Sequence, residues 1–148
     1  MVYQHIQRTG VWLVGLAALE AVVLVVLVVA GAPAVALVVA LAVVSLAVLL
    51  AATFSRLRVE IDETEVRLAF GSGWPRRTVD VGAIVSARAV RNRWWYGWGI
   101  RWIPGGTLWN VWGLDAVELA LASGRVLRVG TDDPAGLLAA FAGRVPVG

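Results

Sequence analysis

Two apolar runs stand back to back near the start of this chain, and no other feature restricts its fold as strongly. VWLVGLAALEAVVLVVLVVA, residues 11–30, is followed after GAP by a second run from Ala34 to Phe54. Between Val11 and Phe54 the only charged residue is Glu20. About twenty residues of helix, at ~1.5 Å each, cross a ~30 Å hydrocarbon core. Gly31 and Pro33 break the helix between the runs, so a connection this short predicts an antiparallel pair. Ala30-Gly31-Ala32 looks like a signal-peptide cleavage site. The first run is too long for a signal h-region, however, and a second run follows at once, so two retained membrane helices are expected.

Composition divides the 148 residues in two. The hydrophobic share of 59% exceeds that of a soluble domain, ~45–50%. The excess lies before Ser55, whereas residues 55–148 mix twelve arginines with nine acids. The expected domains are therefore 1–55, a lead-in and transmembrane hairpin, and 56–148, a compact cytoplasmic domain. Arg8 precedes the first run, Arg56 and Arg58 follow the second, and the tip is uncharged, which by the positive-inside bias puts both termini in the cytoplasm. Tyr3, Trp12 and Phe54 suit the interfacial aromatic belt. The absence of lysine could reflect selection for guanidinium contacts, but the Ala/Val/Gly/Arg bias favours a GC-rich genome as its source.

Glu20 sits mid-helix, where charge is costly. It lies twelve residues before the tip at Ala32 and Ser45 thirteen after, so the two share a depth. Glu20 is expected to be uncharged and to hydrogen-bond Ser45 or another subunit, a structural role; a proton pathway would want a second ionisable group in the membrane.

Beyond Ser55 the pattern changes to a period of two. Leu57, Val59 and Ile61 alternate with charged residues, Asp62-Glu63-Thr64-Glu65 turns, and Val66, Leu68 and Phe70 return. Further strands are expected over 76–81, 84–90, 99–103, 116–122 and 125–131. TDDPAGLLAAFAGRV closes the chain as a helix capped by Asp132 or Thr131, with Leu137, Leu138 and Phe141 as its apolar stripe. The fold class is α+β: a two-helix hairpin, then a seven-strand antiparallel barrel or sandwich with a C-terminal capping helix.

In that order of elements, and in LRVEID, GWPRRTVDVGAI, YGWGIRW and VLRVGTDDPAGLLAA, the chain resembles the membrane-anchored bacterial pleckstrin-homology-like (PH-like) proteins. The resemblance implies a non-enzymatic, self-associating module. Its eukaryotic relatives bind phosphoinositides through basic residues flanking the first hairpin turn. The three acids at 62–65 argue against that mode here.

Six tryptophans fall within residues 91–113. A simple up-and-down meander would gather Trp74, Arg76, Arg77, Arg91, Arg93, Trp94 and Trp95 on a rim at the membrane interface. Trp98 and Trp102 alternate along a strand and are expected to pack inside. Trp109 and Trp112 are expected to form a lid or an oligomer contact. Arginine interleaved with aromatics also suits single-stranded nucleic acid, but tethering at the bilayer favours lipid, and nucleic acid is not expected as a partner. His5 is the only histidine and there is no cysteine, so neither catalysis, metal nor other cofactor is expected. The functional expectation is a scaffold or interaction module of the bacterial inner membrane, homo-oligomeric, partnered by the bilayer and an unknown protein. The alternatives are an accessory subunit of a transport or secretion complex and an anionic-lipid surface sensor.

Overall fold

A computed structural model describes residues 2–9 and 11–148; the side chains of residues 11–14 and 17 are not among those described, so the placement of Trp12 in an interfacial belt lies outside them. The chain is α+β. Helix α1 spans Val11–Val29 and α2 spans Ala34–Phe54, with the break at residues 30–33 where the sequence put it. The two helices pack against each other. Helix α2 is long and apolar enough to cross a membrane, and none of its residues is buried. A soluble protein would sequester such a helix in its core; here Val38, Leu41, Val43, Leu46 and Leu49 face outward.

The remaining chain forms two sheets. The first is ordered β1-β2-β3-β4, from β1 (Tyr3–Arg8), β2 (Arg56–Ile61), β3 (Glu65–Phe70) and β4 (Arg76–Asp80), all antiparallel. The second is ordered β5-β8-β9-β7-β6, from β5 (Ile84–Arg91), β6 (Gly99–Ile103), β7 (Gly106–Asn110), β8 (Asp115–Leu121) and β9 (Val126–Gly130), with β7 and β9 parallel. The count is therefore nine strands among the described residues, against seven expected.

Strand β1 is the first addition. The lead-in YQHIQR pairs with β2 from Tyr3↔Ile61 to Arg8↔Arg56, and the Thr9 amide donates to the Ser55 carbonyl at 2.7 Å. Both helices are thus an insertion between two neighbouring strands of one sheet. Strand β7 is the second addition. All five of its residues are buried, so GTLWN shows no in–out alternation.

Leu57, Val59, Ile61, Val66, Leu68 and Phe70 from the first sheet meet Val117, Leu119, Leu127 and Val129 from the second in one core. The sheets cross. Arg77 of β4 donates to Thr107 Oγ1 at the start of β7. On the opposite flank, the Tyr3 hydroxyl donates to Asp133 and His5 Nε2 lies 2.5 Å from Asp132, beyond the end of β9. Strands β7 and β9 therefore run from the β4 side to the β1 side, across the first sheet.

Helix α3 (Pro134–Ala139) seals the core through Leu137, with Phe141 just beyond it. Its N-cap is Asp133, accepting from the Gly136 amide, with Pro134 in the first turn. The cap is one or two residues later than expected, because Thr131 Oγ1 instead accepts from the Asp133 amide.

Candidate functional site

The joint between α2 and the sandwich is one residue long. Ser55 alone separates the end of α2 from Arg56, and its hydroxyl donates to the Ala52 carbonyl. Phe54 packs edge-on against Phe70 at 5.0 Å, and Phe70 stacks on Trp109 at 5.4 Å. An aromatic file thus runs from the helix into the core, and the sandwich is seated on α2.

Strand β6 is the edge of the second sheet nearest α2. Leu50, Ala51 and Phe54 of the helix join Trp98, Gly99 and Ile100 of the edge in a groove of about 380 Å³. Trp98 stacks on Trp112 at 5.2 Å, and Gln7 Nε2 donates to the Trp112 carbonyl. At the opposite edge, β5 and α3 lie far from the helices, where Arg144 reaches the Asp62 carbonyl in the β2–β3 turn.

This layout revises the tryptophan assignments. Trp102 is 81% exposed and Trp98 48% exposed, so neither packs inside as their alternation suggested. As the edge strand of the second sheet, β6 leaves Trp102 to solvent, with Trp98 just before it half-exposed beside α2. Trp109 is 5% exposed and belongs to the core, which rules it out as a lid or oligomer contact; Trp112 remains at the surface.

The seven residues expected on one rim divide into groups. Trp74, 74% exposed, sits in the β3–β4 turn, whose Gly71 lies against Thr53 of α2, and Arg76 begins β4 on the exposed face. Arg77 instead turns inward to Thr107, where burial, and then the nearby charge of Arg125, push its guanidinium below the ordinary arginine value. Arg91 pairs with Asp115 at 3.3 Å, Arg93 lies over the Trp95 ring at 5.0 Å, and Trp94 meets Trp95 edge-on. Arg91 ends β5, and Arg93, Trp94 and Trp95 sit on the connection from β5 to β6, which crosses the second sheet from its far edge to its near edge. The meander rule fails here because the sheets cross, so strand parity in one does not carry into the other.

That connection covers an ion network on the sheet's outer face. Arg88, Glu118 and Arg128 are aligned across β5, β8 and β9. Glu118 accepts from Arg88 Nε at 2.9 Å and from Arg128 Nε at 2.6 Å, while Tyr96 lies beside Arg128. Burial alone would push the Glu118 carboxyl up; the hydrogen bonds from Arg128 and Arg88, with their charges, outweigh it and hold the group below its ordinary value.

The outer face of the first sheet carries a charge gradient that the sequence reading did not find. Opposite Leu57, Val59 and Ile61 in the pleat stand Arg56, Arg58 and Glu60. Arg8 faces Arg56 across the β1–β2 ladder, and Arg58 lies in one row with Ala69 and Arg76. Four exposed arginines therefore occupy the end nearest the helices. Glu60, Asp62, Glu65 and Asp80 occupy the far end, where Arg67 bridges Asp62 and Glu65 at 3.0 and 2.9 Å. The alternation in RLRVEID holds half of this pattern; the rest needed the β1 pairing.

Within the helix pair, Glu20 and Ser45 line one groove of about 580 Å³ with Leu24, Leu41, Val48 and others. They share a depth as the residue count indicated, but Glu20 Oε1 is buried and has no hydrogen-bond partner. Among the described residues no group of histidine and acidic side chains is arranged to hold a metal ion.

Comparison with protein-family models, curated proteins and solved structures gives no match to this chain.

Proposed function

We propose that this protein is a non-enzymatic interaction or scaffold module, anchored by a two-helix transmembrane hairpin and carrying a PH-like sandwich on the cytoplasmic face of a bacterial inner membrane. The observation that supports it most is the pairing of β1 with β2. Residues 9 and 55 are hydrogen-bonded neighbours, so they lie on one side of any bilayer. A chain that leaves and returns to the same side crosses an even number of times. If α2 spans, α1 spans with it, as two helices each satisfying their own backbone.

Arg8, Arg56 and Arg58 at the foot of the pair favour the cytoplasmic side. The orphaned Glu20 oxygen favours self-association, since an unpartnered polar atom in hydrocarbon is costly and a second helix pair could supply the donor. Full-length protein should require detergent for extraction, and protease added outside intact cells should leave the sandwich uncut. Cleavage from outside, or solubility without detergent, overturns the reading.

The same glutamate supports a second reading, an accessory subunit of a transport or secretion complex. Glu20→Leu separates the two. A scaffold keeps its partner set, whereas a coupling subunit keeps its partners and loses the activity of the complex.

A further inference from the structure

We propose that the helix-proximal end of the first sheet's outer face, formed by Arg8, Arg56, Arg58 and Arg76 with Trp74 beside them, is a binding site for the phosphate of anionic lipid headgroups. This rests on the membrane-anchored reading above. Like charges placed directly opposite in a ladder repel, and Arg8 and Arg56 are such a pair. Among the described residues no carboxylate lies within ion-pair distance of Arg8, Arg56 or Arg76, and Arg58 has only Glu60 at 3.8 Å. The contrast with Arg67 is direct, since that residue is held by two acids on the same face. The unneutralised arginines are the ones nearest the helix ends, and the acids that could balance them are gathered at the opposite end.

The position fits one ligand. Arg8 stands three positions before the start of α1 and Arg56 two after the end of α2, so both guanidinium groups emerge at the depth of the headgroups. Paired forks of this kind match phosphate oxygens. Trp74, exposed in the turn that touches Thr53, supplies the amphipathic ring that settles at the same level. The site differs from a loop pocket for a soluble phosphate: it is an open sheet face whose lower boundary is the bilayer.

The test uses full-length protein in detergent carrying equal phosphatidylcholine and phosphatidylglycerol, with native mass spectrometry reading the lipid retained. Phosphatidylglycerol should be kept preferentially. Arg56→Gln/Arg76→Gln should cut that preference about tenfold or more, as expected for two juxtamembrane cations. Arg8→Gln/Arg58→Gln should do the same, which keeps the test intact if one pair impairs folding. Arg67→Gln/Arg144→Gln, at the acidic far end of the first sheet, should leave it unchanged. Inorganic phosphate at about 10 mM, too dilute to screen contacts shorter than a Debye length, should not displace the lipid. Equal retention of both lipids by the wild type, equal loss in the control pair, or displacement by phosphate overturns the proposal. Extraction without detergent would instead sink the anchored reading itself.

Discussion

A Cβ added to Gly71 would fall 2.9 Å from the backbone carbonyl oxygen of Thr53 in the last turn of α2. Gly71 also has φ +53°, and its amide donates to the Arg56 carbonyl. The β3–β4 turn is therefore wedged against the helix at a point where neither side is a flexible side chain. Gly71→Ala should destabilise the sandwich by about 1–3 kcal/mol, combining the left-handed backbone with the forced separation. Urea unfolding in detergent, followed by near-ultraviolet circular dichroism, reads the loss.

Trp109 and Trp102 should respond in opposite ways to truncation. Trp109→Ala opens a cavity between Phe70 and the core and should cost about 3–5 kcal/mol. Trp102→Ala removes an exposed ring and should stay within about 0.5 kcal/mol. Equal effects in the same unfolding assay would contradict the placement of β7 inside the fold.

Acid should weaken the protein through Glu118. Its folded-state carboxyl is held below the unfolded value of ~4.3, so its contribution is complete above that pH and is lost as the pH falls through the lower, folded value. The melting temperature should drop as pH is taken below about 5. Glu118→Gln should melt lower at neutral pH and show a flatter profile in that window. A wild-type profile unchanged down to pH 3 would count against the network.

The fragment 56–148 should not behave as a self-sufficient domain. It lacks β1, which exposes the β2 edge and removes the partners of Asp132, Asp133 and the Trp112 carbonyl. Joining residues 2–9 to 55–148 by a short turn, in place of both helices, should restore a monomeric, cooperatively unfolding sandwich, because Thr9 and Ser55 are already adjacent. Analytical ultracentrifugation of the two proteins side by side decides the matter.

What was legible in the sequence follows from where the environment is uniform. Both helices could be read to within a residue, because an apolar run of that length admits few alternatives. Strands β2 and β3 could be read from their alternation, since one face meets the core and the other water. Strand β7 could not, because burial on both faces erases the period. Strand β1 could not because its inward residues, Tyr3, His5 and Gln7, are held by hydrogen bonds to distant loops where an aliphatic pattern would have signalled a strand. The exposed Trp98 and Trp102 were misjudged for a related reason: alternation reports a face, but says nothing of whether another layer covers it. The charge gradient on the first sheet was half visible, its other half waiting on the partner of β2.

The insertion of the helices between β1 and β2 also sets an order of events during synthesis. Residues 3–8 leave the ribosome before either helix, yet the strand they must join ends at Ile61, beyond both apolar runs. Until β2 has been made, the opening segment has nothing to pair with, and the sheet is left with an open edge. Under the membrane-anchored proposal, closure of the β-structure reports that insertion has been completed, and a chain whose helices stall keeps that edge open to the cell's proteases.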